Sequence, residues 1–243
     1  MQVSDVEVAG ARIRIRRWGD DAPRPVFYWH GGGGPSDETP VLAPALTGAG
    51  YVLHAIDAPG YGDSPPLAPE AYAPSALAGL AAGLLDRLGL APAVWVGFSW
   101  GGNIGLHTAV RFPGSVRALG LLDSGYLQAE DDPEHNPDSS LDEEIENLRQ
   151  LSEQGESWDA PIEVIAAATV ASGREPESER HSGAPRARHG STGAGRASGI
   201  GAGFRRGLPD ARVVPIPGAA HGVLGDNGPE TCRVLLDWLA ALD

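Results

Sequence analysis

The chain has no lysine: all 18 of its basic residues are arginine. It carries one cysteine, Cys232, and one methionine, Met1. A lone cysteine excludes an internal disulfide, and with no base near it in sequence Cys232 reads as a small buried apolar side chain. No stretch approaches the roughly 18 uninterrupted apolar residues that crossing a bilayer requires. The opening MQVSDVEVAG lacks a basic start followed by an apolar core, so the expectation is a soluble, unexported, cytoplasmic protein without a membrane partner. Positive charge is scarce too. Thirty-two Asp and Glu against 18 Arg leave a net charge of −14, which argues against a nucleic-acid partner, since phosphate binding needs clustered cations. All-arginine usage beside abundant Ala, Gly and Pro suggests GC-rich coding DNA.

What is present is alternation. VEVAGARIRIRRWG predicts a hairpin turning at Gly10, with Val6, Val8, Ile13 and Ile15 on one face. PVFYWHGGGG reads as a buried strand emptying into a glycine loop. A helix follows over 39–50, a strand over 51–57, an apolar helix over 75–88 that stops at Gly89, and a strand over 93–98. A helix over 100–112, closed by Pro113, and a strand over 115–123 complete three rounds of strand and helix. The pattern implies an α/β fold: a mostly parallel, doubly wound sheet with helices on both faces, forming one main domain in a chain of 243 residues.

The alternation then breaks. From Tyr126 to Ala160 twelve acidic residues face one basic residue, Arg149. Ser140 is a good helix start there, and Leu141, Ile145, Leu148 and Leu151 share one face. We read 126–170 as a small acidic helical cap insertion whose charge is a solvated face. The next stretch, 171–203, is anomalous: Ile200 is its only large apolar residue among Gly, Ser, Arg and Ala. It fits either a disordered insertion or GC-rich DNA read in a shifted frame, and it replaces the seventh strand that the pattern calls for. Order resumes with a strand over 211–218 and an amphipathic helix over 229–242. The core is thus expected to comprise 1–125 and 204–243.

The chemistry centres on GFSWGG, Gly97 to Gly102. A serine hydroxyl is a poor nucleophile unless a base and an orienter for that base stand beside it. Between a β-rich run and a helix, a strained turn can hold Ser99 clear of the sheet while Gly97 and Gly101 let backbones pass. Three further signatures accompany it: HGGGG (His30 to Gly34), DAPGYGDS (Asp57 to Ser64) and IPGAAHG (Ile216 to Gly222). Together and in this order they resemble the α/β-hydrolase fold family, in its serine-hydrolase branch, over about 26–123 and 211–243.

The resemblance implies a triad and an oxyanion hole. Ser99 would be the nucleophile and His221 the base, with the backbone amides of Gly32, Gly33 and Trp100 as oxyanion donors. His30 is expected to pack beneath the glycine loop, and Asp57, Tyr61 and Ser64 to be structural, with lining of the site mouth open to Tyr61 as a second role. The family's commonest acid follows the seventh strand, but no aspartate lies between Asp159 and Asp210. Some members carry the acid at the end of the sixth strand, where Asp123 stands here. Glu175, Glu177, Glu179, Asp210 and Asp226 are poorer choices. The implied activity is cleavage of a small carboxylic ester, or a related thioester, lactone or amide, through an acyl-enzyme, with a small acyl substrate as the only partner, no cofactor and no metal. Two alternatives stay open: a non-catalytic ligand-binding homologue, and a same-fold haloperoxidase or carbon–carbon bond hydrolase. Haloalkane dehalogenases and epoxide hydrolases of this fold use aspartate at the elbow, where this chain has serine.

Overall fold

The computed structural model describes residues 1–20, 24–34, 39–124, 162–167, 212–219 and 222–242. Strands β1 (Gln2–Val8) and β2 (Ala11–Trp18) form the hairpin, in register Val6↔Ile13 and Val8↔Ala11. Ala9 and Gly10 make its turn with φ of 49° and 80°. Positive φ at both positions is what a two-residue turn needs to match the twist of the strands it joins.

Strand β2 pairs antiparallel with β4 (Val52–Asp57), and β4 in turn pairs parallel with β3 (Pro25–Trp29). Every further pairing is parallel, through β5 (Ala93–Phe98), β6 (Val116–Leu122), β7 (Ile162–Ala167) and β8 (Arg212–Ile216). The sheet order is β1-β2-β4-β3-β5-β6-β7-β8.

Strand β3 shows why its sequence is apolar throughout. Val26 and Tyr28 point into the layer of α1 (Thr39–Gly48) and α4 (Val223–Ala240), whereas Phe27 and Trp29 point into that of α2 (Pro74–Leu88) and α3 (Trp100–Arg111). All four are buried. With both faces of the sheet covered, period-2 alternation of polar and apolar residues disappears from the central strands. Helix α2 stops where expected: Gly89 takes φ 65° and its amide bonds back to the last turn. Helix α4 begins six residues before Pro229, with a kink at Asn227. Thr231 Oγ1 bridges that kink, 2.8 Å from the Val223 carbonyl and 2.9 Å from that of Asn227. No helix among the described residues is long and apolar enough to cross a membrane.

One expectation is corrected. The sheet does have its seventh strand, β7, between β6 and β8, with Leu121↔Val164 and Val164↔Val213 in register. These residues fall within the expected helical insertion 126–170, and the segment 171–203, expected in place of the strand, is not needed to supply it. IEVIAA mixes a few large apolar residues with alanine and a glutamate, so its local pattern does not announce a strand. Pairing on both sides supplies what the pattern lacks: without it, the facing N–H and C=O groups of β6 and β8 would go unpaired. The remainder of 126–170, and all of 171–203, lie outside the described residues.

Candidate active site

Strand β5 ends at Phe98, and α3 begins at Trp100. The single residue between them, Ser99, has φ 50° and ψ −115°, a region that side-chain-bearing residues rarely occupy. Neighbouring backbone holds it there. The Ser99 amide donates to the Leu122 carbonyl of β6 at 2.9 Å, while its own carbonyl accepts from Gly102 at 3.0 Å and Asn103 at 3.2 Å. The hydroxyl does not cap its own helix.

The glycines of the motif are required by close approach. A Cβ on Gly97 would stand 2.5 Å from the Gly102 amide nitrogen, and one on Gly101 would overlap the Trp29 carbonyl oxygen. A Cβ on Gly102 would overlap the Ser124 hydroxyl. Three backbone segments therefore meet at Ser99, the elbow, the end of β3 and the end of β6, and the Ser124 side chain beyond β6 closes against Gly102.

The glycine loop reaches the same point. A Cβ on Gly31 would meet the Phe98 ring at 2.6 Å and lie 3.4 Å from Ser99 Cβ, so the loop passes directly against the serine. The Gly34 amide donates to the Gly31 carbonyl at 3.2 Å and closes a turn with exposed Gly32 and Gly33 at its centre. Among the described residues neither the Gly32 nor the Gly33 amide has an acceptor. The Trp100 amide belongs to the first turn of α3, where no intrahelical acceptor exists. Among the described residues, the Gly32 and Gly33 amides thus stand without an acceptor beside a helix N-terminus, which favours negative charge.

His30 lies beneath this loop, fully buried. Its Nε2 accepts from the Ala58 amide at 3.0 Å, which requires that nitrogen to be unprotonated. Nδ1 carries the proton and donates to the Gly31 carbonyl at 2.6 Å. Burial holds His30 below the ordinary histidine range, which keeps it neutral as this network demands. Tyr61 packs on it with ring centroids 5.0 Å apart and also meets Trp100 at 5.7 Å, so the two half-buried aromatics form one wall beside Ser99. Trp29 continues that wall inward, 5.8 Å from Trp100 and 5.7 Å from Trp95.

Asp123 leaves β6 one residue beyond Leu122, as Ser99 leaves β5 one residue beyond its partner Phe98. It too has positive φ, 41°, and it is buried. Ser124 follows, buried against Gly102, and its Oγ has no hydrogen-bond partner among the described residues. His221 lies outside the described residues, as do Glu175, Glu177, Glu179 and Asp210. The chain is described to Ala219, beyond β8, and again from Gly222, which precedes α4 and its first-turn Asp226. With β7 in place, the first carboxylate past it is Glu175, eight residues beyond Ala167.

Sequence reasoning treated Asp57 as structural and passed over Arg16. Arg16 grips the wholly buried Asp57 carboxylate with two bonds, Nε to Oδ1 at 2.9 Å and Nη2 to Oδ2 at 2.7 Å. Burial pushes the Asp57 carboxyl up, but the bonds from Arg16 and from the Asp63 amide outweigh it and leave Asp57 below the usual carboxylate range. The available signal was the RIRIRR run, whose alternate arginines share one side of β2, combined with an aspartate at the end of an apolar strand.

Comparison with known proteins agrees with this architecture. The family model described as alpha/beta hydrolase fold matches residues 24–170, more than half of the chain, and the chain belongs to that family. It is 38% identical over 95 residues to bifunctional epoxide hydrolase 2 of Mus musculus, covering 39% of this chain and 17% of that protein. Over 122 residues it is 38% identical to a pimeloyl-[acyl-carrier protein] methyl ester esterase of Neisseria meningitidis serogroup B, covering 50% of this chain and 45% of the esterase. The chain therefore spans less than half the length of these curated relatives. Among solved structures, a predicted CIB-like hydrolase from Thermoplasma acidophilum superposes with a TM-score of 0.71 at 17% identity, covering 99% of this chain and 98% of the other. An epoxide hydrolase from Vigna radiata gives 0.68, also at 17% identity and with the same coverages. At these identities the likeness is one of fold.

Proposed function

We propose that the protein is a serine hydrolase that cleaves a small carboxylic ester through an acyl-enzyme. The observation that carries the reading is the position of Ser99: a non-glycine residue held at φ 50° at the mouth of α3, against a glycine loop whose Gly32 and Gly33 amides have no acceptor among the described residues. Ser99 Oγ attacks the substrate carbonyl carbon as His221 takes its proton, and the carbonyl oxygen becomes an oxyanion facing the amides of Gly32, Gly33 and Trp100. The C–O bond to the leaving alcohol breaks as His221 returns the proton to it. Water, deprotonated by the same histidine, attacks the acyl carbon and releases the acid with Ser99 restored. Asp123, next to the nucleophile's strand and buried, orients the histidine. His221 stands five residues past the end of β8, a strand parallel to β5, which supports its assignment as base.

The relatives include epoxide hydrolases as well as an esterase, and the elbow residue separates the two chemistries. A carboxylate there attacks an epoxide carbon, whereas a hydroxyl backed by a base suits a carbonyl. Ser99 favours the ester. The test is hydrolysis of a short-chain p-nitrophenyl ester together with fluorophosphonate labelling. Wild type should turn over and label, Ser99→Ala should do neither, and Asp123→Asn should lose about 1,000-fold or more in kcat, the scale of a triad acid. A folded wild type that resists the label would replace this reading with a ligand-binding role, and full activity in Asp123→Asn would pass the orienting role to another carboxylate such as Glu175.

A further inference from the structure

The oxyanion loop does not stand alone: it is the last member of a hydrogen-bonded series that begins on the amino-terminal hairpin. Arg16 of β2 clamps both carboxylate oxygens of Asp57, the last residue of β4, and the Asp63 amide adds a third bond at 2.9 Å. The Asp57 carbonyl accepts from Ser64 Oγ at 2.5 Å, and that hydroxyl is itself fixed by the Arg14 amide of β2 at 2.9 Å. Both ends of residue 57 are therefore tied to the hairpin. The peptide joining Asp57 to Ala58 is planar, so a fixed carbonyl fixes the direction of the Ala58 N–H. That N–H is the donor to His30 Nε2. The other imidazole nitrogen holds the Gly31 carbonyl at 2.6 Å. Gly31 C=O and Gly32 N–H belong to one planar trans peptide and point in opposite directions, so holding the first aims the second.

We propose that Arg16 is a positioning residue for the reaction, setting the direction of the Gly32 N–H through Asp57, Ala58 and His30. It touches neither substrate nor Ser99. The proposal rests on the serine-hydrolase reading, because it assigns Arg16 an effect on oxyanion binding. A guanidinium fork is essential to it: a lysine preserves the charge but delivers a point donor instead of two parallel bonds.

The experiment compares wild type with Arg16→Lys, Ser64→Ala and Arg12→Gln, the last removing an exposed ion pair to Asp5 in the same hairpin. Each is assayed well below its thermal midpoint for kcat and KM on a p-nitrophenyl ester. Inhibition by a trifluoromethyl ketone, whose adduct with a serine places an oxyanion where the tetrahedral intermediate has one, is measured alongside. Arg16→Lys and Ser64→Ala should each lower kcat about tenfold to a hundredfold, less than outright loss of an oxyanion donor. KM should move less than about threefold, the ketone should weaken in step with kcat, and Arg12→Gln should match wild type. A folded Arg16→Lys with wild-type kcat, a change confined to KM, or failure of both variants to fold would each overturn the proposal, the last by making the latch a requirement of the fold alone. A wild type that neither turns over nor labels at Ser99 would remove the serine-hydrolase reading and the proposal together. An active, labelled wild type with indifferent variants would remove only the proposal.

Discussion

Ala9 and Ser99 have almost the same φ, 49° and 50°, in opposite surroundings. Ala9 is exposed at the tip of the hairpin, and its neighbour Gly10 has nothing within 4 Å of where a Cβ would be. Ser99 sits over a crossing of three backbone segments so tight that glycines are needed on either side. At the hairpin the strained angle follows from turn length and strand twist, and it can relax if the turn residue changes. At the elbow it is imposed by packing from β3 and β6, and it persists because those segments leave nowhere else to go. Local strain alone therefore marks no site; strain enforced by distant backbone does.

The comparison is broken most severely at the glycines. Gly101→Ala should lose about 4 kcal/mol or more, because its methyl would overlap the Trp29 carbonyl, and should yield little folded protein by circular dichroism. Gly10→Ala, with only an unfavourable φ of 80° to bear, should cost about 1 kcal/mol in urea unfolding. Equal losses would mean that packing does not distinguish the two turns.

Replacing Ser99 separates strain from the proposed chemistry. Ser99→Gly should abolish ester turnover, by about 1,000-fold at least. It should also raise the unfolding free energy, by about 0.5 kcal/mol once the unfolded-state entropy of glycine is set against relief of the left-handed backbone. A less stable Ser99→Gly would show that the elbow stores no strain at that residue.

Acid should act on the hairpin side. His54 of β4 pairs with Arg17 of β2, and burial first, then the Arg17 charge, hold its pKa at about 4. Above about pH 6.5 both folded and unfolded chains carry it neutral; below that the unfolded chain takes up the proton first. Its contribution therefore makes stability fall as pH drops from about 6.5 towards about 4. Urea midpoints for His54→Gln across that window should fall less steeply than those of wild type, and an unchanged slope would assign the acid response to other groups. The smallest effect belongs to Ala9→Asn, which should gain about 0.5 kcal/mol because asparagine accepts the first position of such a turn, with kcat unchanged.

Much of the fold was legible because burial on a strand or helix leaves a period in the chain. The hairpin register, the stop of α2 at Gly89 and the span of β5 all follow from residues within a few positions of each other. The elbow was legible for a related reason: G-x-S-x-G encodes a backbone crossing in the identity of the residues that must lack a Cβ. Strand β7 was not legible, since IEVIAA has no strong period and is a strand by virtue of the two strands it joins. Arg16 was missed because its partner Asp57 is 41 residues away, and an arginine on an alternating strand reads as a solvated face.

By itself, then, the sequence determined which segments alternate, which turns demand glycine and which serine stands at the head of a helix, because each depends on local sterics and on burial of nearby side chains. Only the tertiary structure decided that β7 fills the gap between β6 and β8, that the glycine loop lies against Ser99, and that a charged pair on the hairpin reaches His30 beneath that loop. Those contacts join residues far apart in the chain, and they form only once the sheet has closed.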